Sequence, residues 1–112
     1  MRQNLTDRSC QPCLGGVPPL RGEKLKELAE ELGGDWQIMD EHHLLKSYKF
    51  KNFKDALAFV DRVGSVAEEQ NHHPDIRFGW GYAEISIWTH KIDGLTESDF
   101  ILAAKIDAMT KG

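Results

Sequence analysis

Apolar residues recur along this chain with two different periods, and the changes of period divide it into seven elements. Leu25, Leu28, Ala29 and Leu32 stand three and four apart among Glu and Lys, the spacing of one helix face. Gly33-Gly34 follows, a residue type that ends helices at low steric cost. Trp36 to Met39 and His43 to Phe50 read as strands around an Asp40-Glu41-His42 turn, with Leu44, Tyr48 and Phe50 on one parity and Lys46 interrupting it. Asn52, with Asp55 three residues on, caps a long helix in which Phe53, Ala56, Leu57, Val60, Val63, Gly64 and Ala67 mark one apolar stripe. Pro74 disfavours helical geometry at His73 and ends the run there.

Asp75 to Phe78 and Tyr82 to His90 then form a hairpin around Gly79-Trp80-Gly81. Its second strand puts Ala83, Ile85, Ile87 and Thr89 on one face and Tyr82, Glu84, Ser86, Trp88 and His90 on the other. After an Asp93-Gly94 turn, Thr96 and Asp99 resemble a capping box, with Asp where Glu is usual, opening a last helix through Phe100, Leu102, Ala103, Ile106 and Met109. The order α-β-β-α-β-β-α with hairpin-sized links predicts an α+β two-layer sandwich: a four-stranded antiparallel sheet with three helices on one face. Residues 1–21, rich in Pro, Gly and polar side chains without periodicity, read as a loosely ordered N-terminal leader, and residues 22–112 as a single domain.

A chain of 112 residues with 29% charged and 40% hydrophobic content suits one small globular unit. No stretch reaches the roughly 18 apolar residues of a membrane span, and the first residues lack the apolar core of a secretory signal. The expected location is the cytoplasm, with no membrane partner. A net charge of -4 without a lysine or arginine block argues against nucleic acid as a partner. Cys10 and Cys13 form the one Cys-x-x-Cys, but a structural zinc wants four ligands and a redox pair wants a strand before it and a helix after it. These thiols read as incidental to the leader.

Chemistry concentrates in Glu68-Glu69-Gln70-Asn71-His72-His73-Pro74 and in Thr89-His90. Imidazole titrates near neutral pH, so clustered histidines suit proton transfer or metal ligation. Adjacent histidines rarely aim at one ion, which disfavours zinc. Glu68 and His72 stand four apart, so a helix persisting that far would let the carboxylate orient the imidazole. His90 ends a strand that a hairpin folds back toward His73. His42-His43 sits in a turn with no partner evident in the sequence. Solvated loop histidines are the plain alternative for His72 and His73. Trp36, Trp80 and Trp88 are by type core or interface residues.

Taken together, Trp36, Tyr48-Lys49-Phe50-Lys51-Asn52-Phe53, Glu68, His72-His73-Pro74, Thr89-His90 and Gly94-Leu95-Thr96 with Asp99 resemble the pterin-4a-carbinolamine dehydratases, bacterial members in particular. The resemblance runs from about residue 10 to residue 108 and includes the Cys10-Gln11-Pro12-Cys13 leader. Asn71 stands where many relatives place aspartate, and Trp88 where an aliphatic residue is commoner. The resemblance implies dehydration of 4a-hydroxytetrahydropterin to quinonoid dihydropterin, without metal or organic cofactor, by a homodimer or homotetramer. It implies that His72, His73 and His90 are catalytic and that Glu68, Pro74 and Trp36 line the substrate. The alternative it leaves is a non-catalytic binding module of the same fold.

Overall fold

A computed structural model describes residues 4–10 and 18–110. Helix α1 covers Glu23–Leu32, strands β1 and β2 cover Gln37–Met39 and His43–Lys49, and helix α2 covers Phe53–Gln70. Strands β3 and β4, Asp75–Gly79 and Tyr82–Ile87, precede helix α3 at Glu97–Thr110. The four strands lie in the order β1-β2-β4-β3, every neighbour antiparallel. This is the α+β sandwich that the periodicities predict.

Period two decides the sheet. Ala83, Ile85 and Ile87 of β4 are fully buried against the helices, and Leu44 joins them from β2, whereas Glu84, Ser86 and Trp88 face the other way and stay half-exposed. Strand β4 is shorter than expected. It ends at Ile87, Thr89 makes an isolated bridge to Gly94, and His90–Ile92 coil into a 3₁₀ turn.

Helix α2 starts where expected, Asn52 Oδ1 accepting the Asp55 backbone N–H at 2.8 Å. Its buried face, however, is Ala56, Phe59, Val63 and Ala67, while Phe53 and Leu57 remain 46% and 40% exposed. The single stripe read from the sequence is therefore two adjacent stripes, one buried and one partly exposed, in which Phe53 meets only the ring of Phe78 among the described aromatic residues. Both satisfy a helical period, so the period alone could not separate them.

Helix α3 is the centre of the core, with Phe100, Leu102, Ala103 and Ile106 fully buried. It also buries Ile101 and Asp107, and the leader packs along it: Leu5 is buried, and Lys105 Nζ donates to the Thr6 carbonyl at 2.8 Å. Arg8 then ties the leader to α1 through Glu31 and to the start of α3 through Glu97, at 2.7 and 2.6 Å. Pro19 lies so close to Gly94 that a Cβ there would fall 2.4 Å from the proline ring, and the Leu20 N–H donates to the Leu95 carbonyl. Leader and His90 turn are thus packed together. Cys13 lies outside the described residues, so the Cys-x-x-Cys reading is not addressed by the structure.

Candidate functional site at one end of the sheet

The site is built where α2 ends, β3 begins and β4 runs out. Asn71 takes the left-handed conformation, φ 52° and ψ 40°, and its N–H and that of His72 close back on the last turn of α2. Asparagine tolerates this geometry better than most residues. The reversal carries His72 off the helical register, so the Glu68–His72 pairing expected from four-residue spacing does not form. Glu68 Oε2 instead accepts from His73 Nε2 in a very short contact, with both side chains more than half exposed.

His72 finds a different carboxylate. Its Nε2 lies 2.5 Å from Asp99 Oδ1, and Asp99 is completely buried. The second oxygen of Asp99 accepts from the Thr96 backbone N–H at 2.8 Å and from Thr89 Oγ1 at 2.9 Å. The Thr96-x-x-Asp99 capping box therefore exists in its carboxylate arm, and the same carboxylate anchors an imidazole from another element. A buried charge is tolerable only when it is paired and hydrogen-bonded, and this one also sits at the positive end of the α3 dipole. Asp99, read from the sequence as a helix cap, is the carboxylate that also meets His72, a contact the sequence reading missed. Its signal was present as the aspartate in the cap, whose shorter side chain keeps it close to the helix start.

The geometry fixes proton positions. With Nε2–H given to Asp99, the nitrogen of His72 that can take or release a proton is Nδ1. His73 is placed in the same way by Glu68. His90 opens the 3₁₀ turn after Thr89, 56% exposed, with Nε2 3.9 Å from Asp75 Oδ2, an ion-pair distance beyond hydrogen-bond reach. His72, His73, Pro74 and His90 thus gather at one end of the sheet, and the Thr89–Asp99 bond joins the two sides.

His42-His43, given no partner by the sequence, reaches this region too. His42 Nε2 lies 2.7 Å from Asp93 Oδ1, and His42, His43 and His90 all pack on the Trp88 ring. Among the described residues, no group of three His, Cys, Asp or Glu side chains has the arrangement of a metal site.

Trp36 stands elsewhere. Its indole N–H donates to Asp107 Oδ2 at 3.0 Å, and Asp107 follows Asp99 by eight residues on α3, about 12 Å along the axis at 1.5 Å per residue. Lys46 Nζ and Tyr48 OH share the other Asp107 oxygen, at 2.9 and 3.4 Å. Within one chain Trp36 belongs to this satisfied network, not to the histidines. A cleft of about 470 Å³ opens beside it, lined in part by Asp35, Lys46 and Asp107. Lys46 and Asp107 neutralise each other there, so the cleft offers a ligand no unpaired charge from that pair.

Fold and site define a class: a helix-backed antiparallel sheet carrying carboxylate-braced imidazoles at one end. A family model described as pterin 4 alpha carbinolamine dehydratase matches residues 18–109. A Rubrobacter xylanophilus protein named "Putative pterin-4-alpha-carbinolamine dehydratase" is 64% identical over 105 residues, 94% of this chain and 97% of its own. A Rickettsia bellii protein of the same name is 49% identical over 106 residues, covering 95% and 94%. The crystal structure of a transcriptional coactivator/pterin dehydratase from Brucella melitensis matches at a TM-score of 0.73 and 30% identity, covering 81% of this chain and 97% of that one. A pterin dehydratase-like protein identified as a RuBisCO assembly factor in the alpha-carboxysome matches at 0.58 and 26%, covering 70% and 92%. The chain belongs to the pterin-4-alpha-carbinolamine dehydratase family. No helix among the described residues is long and apolar enough to cross a membrane.

Proposed function

We propose that this protein dehydrates 4a-hydroxytetrahydropterin to quinonoid dihydropterin in the cytoplasm, recycling the cofactor of an aromatic amino acid hydroxylase. The observation that carries the reading is the buried Asp99 carboxylate, which holds His72 directly and the His90 turn through Thr89. A carboxylate buried at this cost to position imidazoles is expected of an acid-base site and has no use in a solvated loop.

The reaction asks for two proton transfers. The C4a–O bond breaks and water leaves once the hydroxyl oxygen is protonated; N5 loses its proton as the C4a–N5 double bond forms. One imidazolium supplies the first proton and one neutral imidazole accepts the second, so His72 and His90 divide the work, with His73 beside them. Positioned proton transfer of this kind typically contributes about 10²–10⁴-fold. No step calls for a metal or an organic cofactor. Pro74, half-buried, and Glu68 border the substrate.

Stopped-flow measurement of 4a-hydroxytetrahydropterin breakdown tests the proposal. His72→Ala and His90→Ala are expected to lose at least about tenfold in rate while remaining folded. Equal rates with and without the wild-type protein would favour the binding-module alternative. We also place the working form as a homodimer or homotetramer, because the second apolar stripe of α2 is left uncovered in one chain.

A further inference from the structure

The three side chains around Trp88 come from two stretches of chain far apart in sequence. Its ring centroid lies 5.3 Å from that of His42 in the β1–β2 turn, 5.7 Å from that of His43 at the start of β2, and 4.3 Å from that of His90. His42 and His43 are themselves joined, Nδ1 to Nδ1, at 3.0 Å. His42 Nε2 reaches Asp93, whose N–H closes the 3₁₀ turn on the His90 carbonyl. The backbone of that turn is therefore tied down from two sides, by the Thr89–Gly94 bridge and by His42.

The His90 side chain is not. It is more than half exposed, and its one carboxylate neighbour among the described residues, Asp75, stands at 3.9 Å. Among the described residues, the ring contact that remains to set its orientation is the one with Trp88. Building on the function proposed above, we infer that Trp88 is the positioning residue of His90, and that His42 and His43 buttress the indole.

A ring held by one contact rotates when the contact is lost, and an ångström of displacement at a proton-transfer group can cost up to about 10²-fold in rate. Trp88→Leu keeps an apolar residue at the strand end but removes the flat face; Trp88→Phe keeps a face. Because Trp88 acts through the His90 ring, the loss should fall on kcat and leave KM in place.

The test is a double-mutant cycle with Trp88→Leu and His90→Ala in the dehydratase assay, with Trp88→Phe as the rescue. Trp88→Leu is expected to lower kcat about tenfold with KM within twofold, Trp88→Phe to recover most of it, and Trp88→Leu to add less than twofold in the His90→Ala background. A kcat within twofold of wild type in Trp88→Leu would overturn the inference. So would a further tenfold loss on top of His90→Ala, which is what general loosening of the fold would give. Independently of turnover, the His90 ring-proton resonance should carry a ring-current shift that disappears in Trp88→Leu; an unchanged resonance would remove the contact itself. A wild-type protein without turnover would remove the proposed function and this role with it, whereas an active wild type with an unaffected Trp88→Leu would remove this role alone.

Discussion

Thr89 and Asp99 are joined by a buried hydrogen bond of 2.9 Å, and each meets a different half of the site, Thr89 through its peptide link to His90 and Asp99 through its hydrogen bond to His72. Thr89 precedes His90 at the end of the sheet, and Asp99 holds His72 from the first turn of α3. The bond therefore couples two imidazoles from distant stretches of chain through one carboxylate, without the histidines having to touch.

Asp99→Asn tests the carboxylate. The amide fills the same volume, yet one of its two ends must present N–H to a group that already donates, either His72 or the Thr89 and Thr96 pair. The tautomer of His72 is then no longer fixed. Loss of such a supporting partner costs roughly 10–100-fold where it has been measured at metal-bound histidines, and a fall of that size in kcat/KM is expected here, with circular dichroism unchanged. A fall below threefold would separate Asp99 from catalysis and leave it a helix cap.

Thr89→Val removes the bond, together with the 3.0 Å contact between the Thr89 and Thr96 hydroxyls. Valine matches the shape but has no hydroxyl, so Asp99 Oδ2 keeps the Thr96 N–H and loses the Thr89 donor. Hydrogen bonds to charged groups contribute about 1.5–3 kcal/mol, and a loss of that order should appear as a lower urea midpoint with an unchanged slope. An unshifted midpoint would mean that water replaces the hydroxyl at no cost.

The sequence made the element order, the strand parity of β4 and the Asn52 cap legible, because each depends on a local period or a local hydrogen bond. It also placed His72, His73 and His90 toward one end of the sheet, since Pro74 ends the helix and the hairpin folds the second strand back. It misassigned the carboxylates, because a four-residue spacing on a helix pairs Glu68 with His72 only while the helix lasts. One left-handed residue, Asn71, exchanges the partners. That His42 and His43 reach Trp88 follows from sheet order, β2 beside β4, which no local pattern encodes. Trp36 shows the converse: its hydrogen-bond partner Asp107 is 71 residues away in sequence, so its link to α3 emerges only in three dimensions.

The uncovered stripe of α2 gives a separate prediction about assembly. Phe53 and Leu57, with the half-buried Val60 and Gly64, continue the helical spacing on a face that this chain leaves open, and Phe53 stacks on Phe78 beside it. Leu57→Glu places a charge in the middle of that stripe. Light scattering on the wild-type protein should give a mass of two or four chains, and the variant should shift it toward one chain while remaining helical. A wild-type monomer would leave the stripe simply exposed, as single apolar residues often are.

Stability should fall on the alkaline side, for two groups at once. Burial pushes the Cys10 thiol from about 9 up to about 11, with Lys105 opposing and the Asp99 charge adding to the rise. Burial also raises the Tyr48 phenol above its ordinary 10, reinforced by the neighbouring Asp107 carboxylate, which accepts its hydrogen bond. In both, the folded state keeps a proton that the unfolded chain releases at lower pH, so unfolding releases protons and becomes easier as pH rises. For Cys10 the contribution is complete below 9 and is lost between about 9 and 11; for Tyr48 the loss begins near 10. Urea midpoints in reducing buffer should therefore drop between pH 8 and pH 10.5 by more in the wild type than in a Cys10→Ala/Tyr48→Phe variant, which has neither proton to lose. Parallel drops would assign the alkaline sensitivity to groups other than Cys10 and Tyr48.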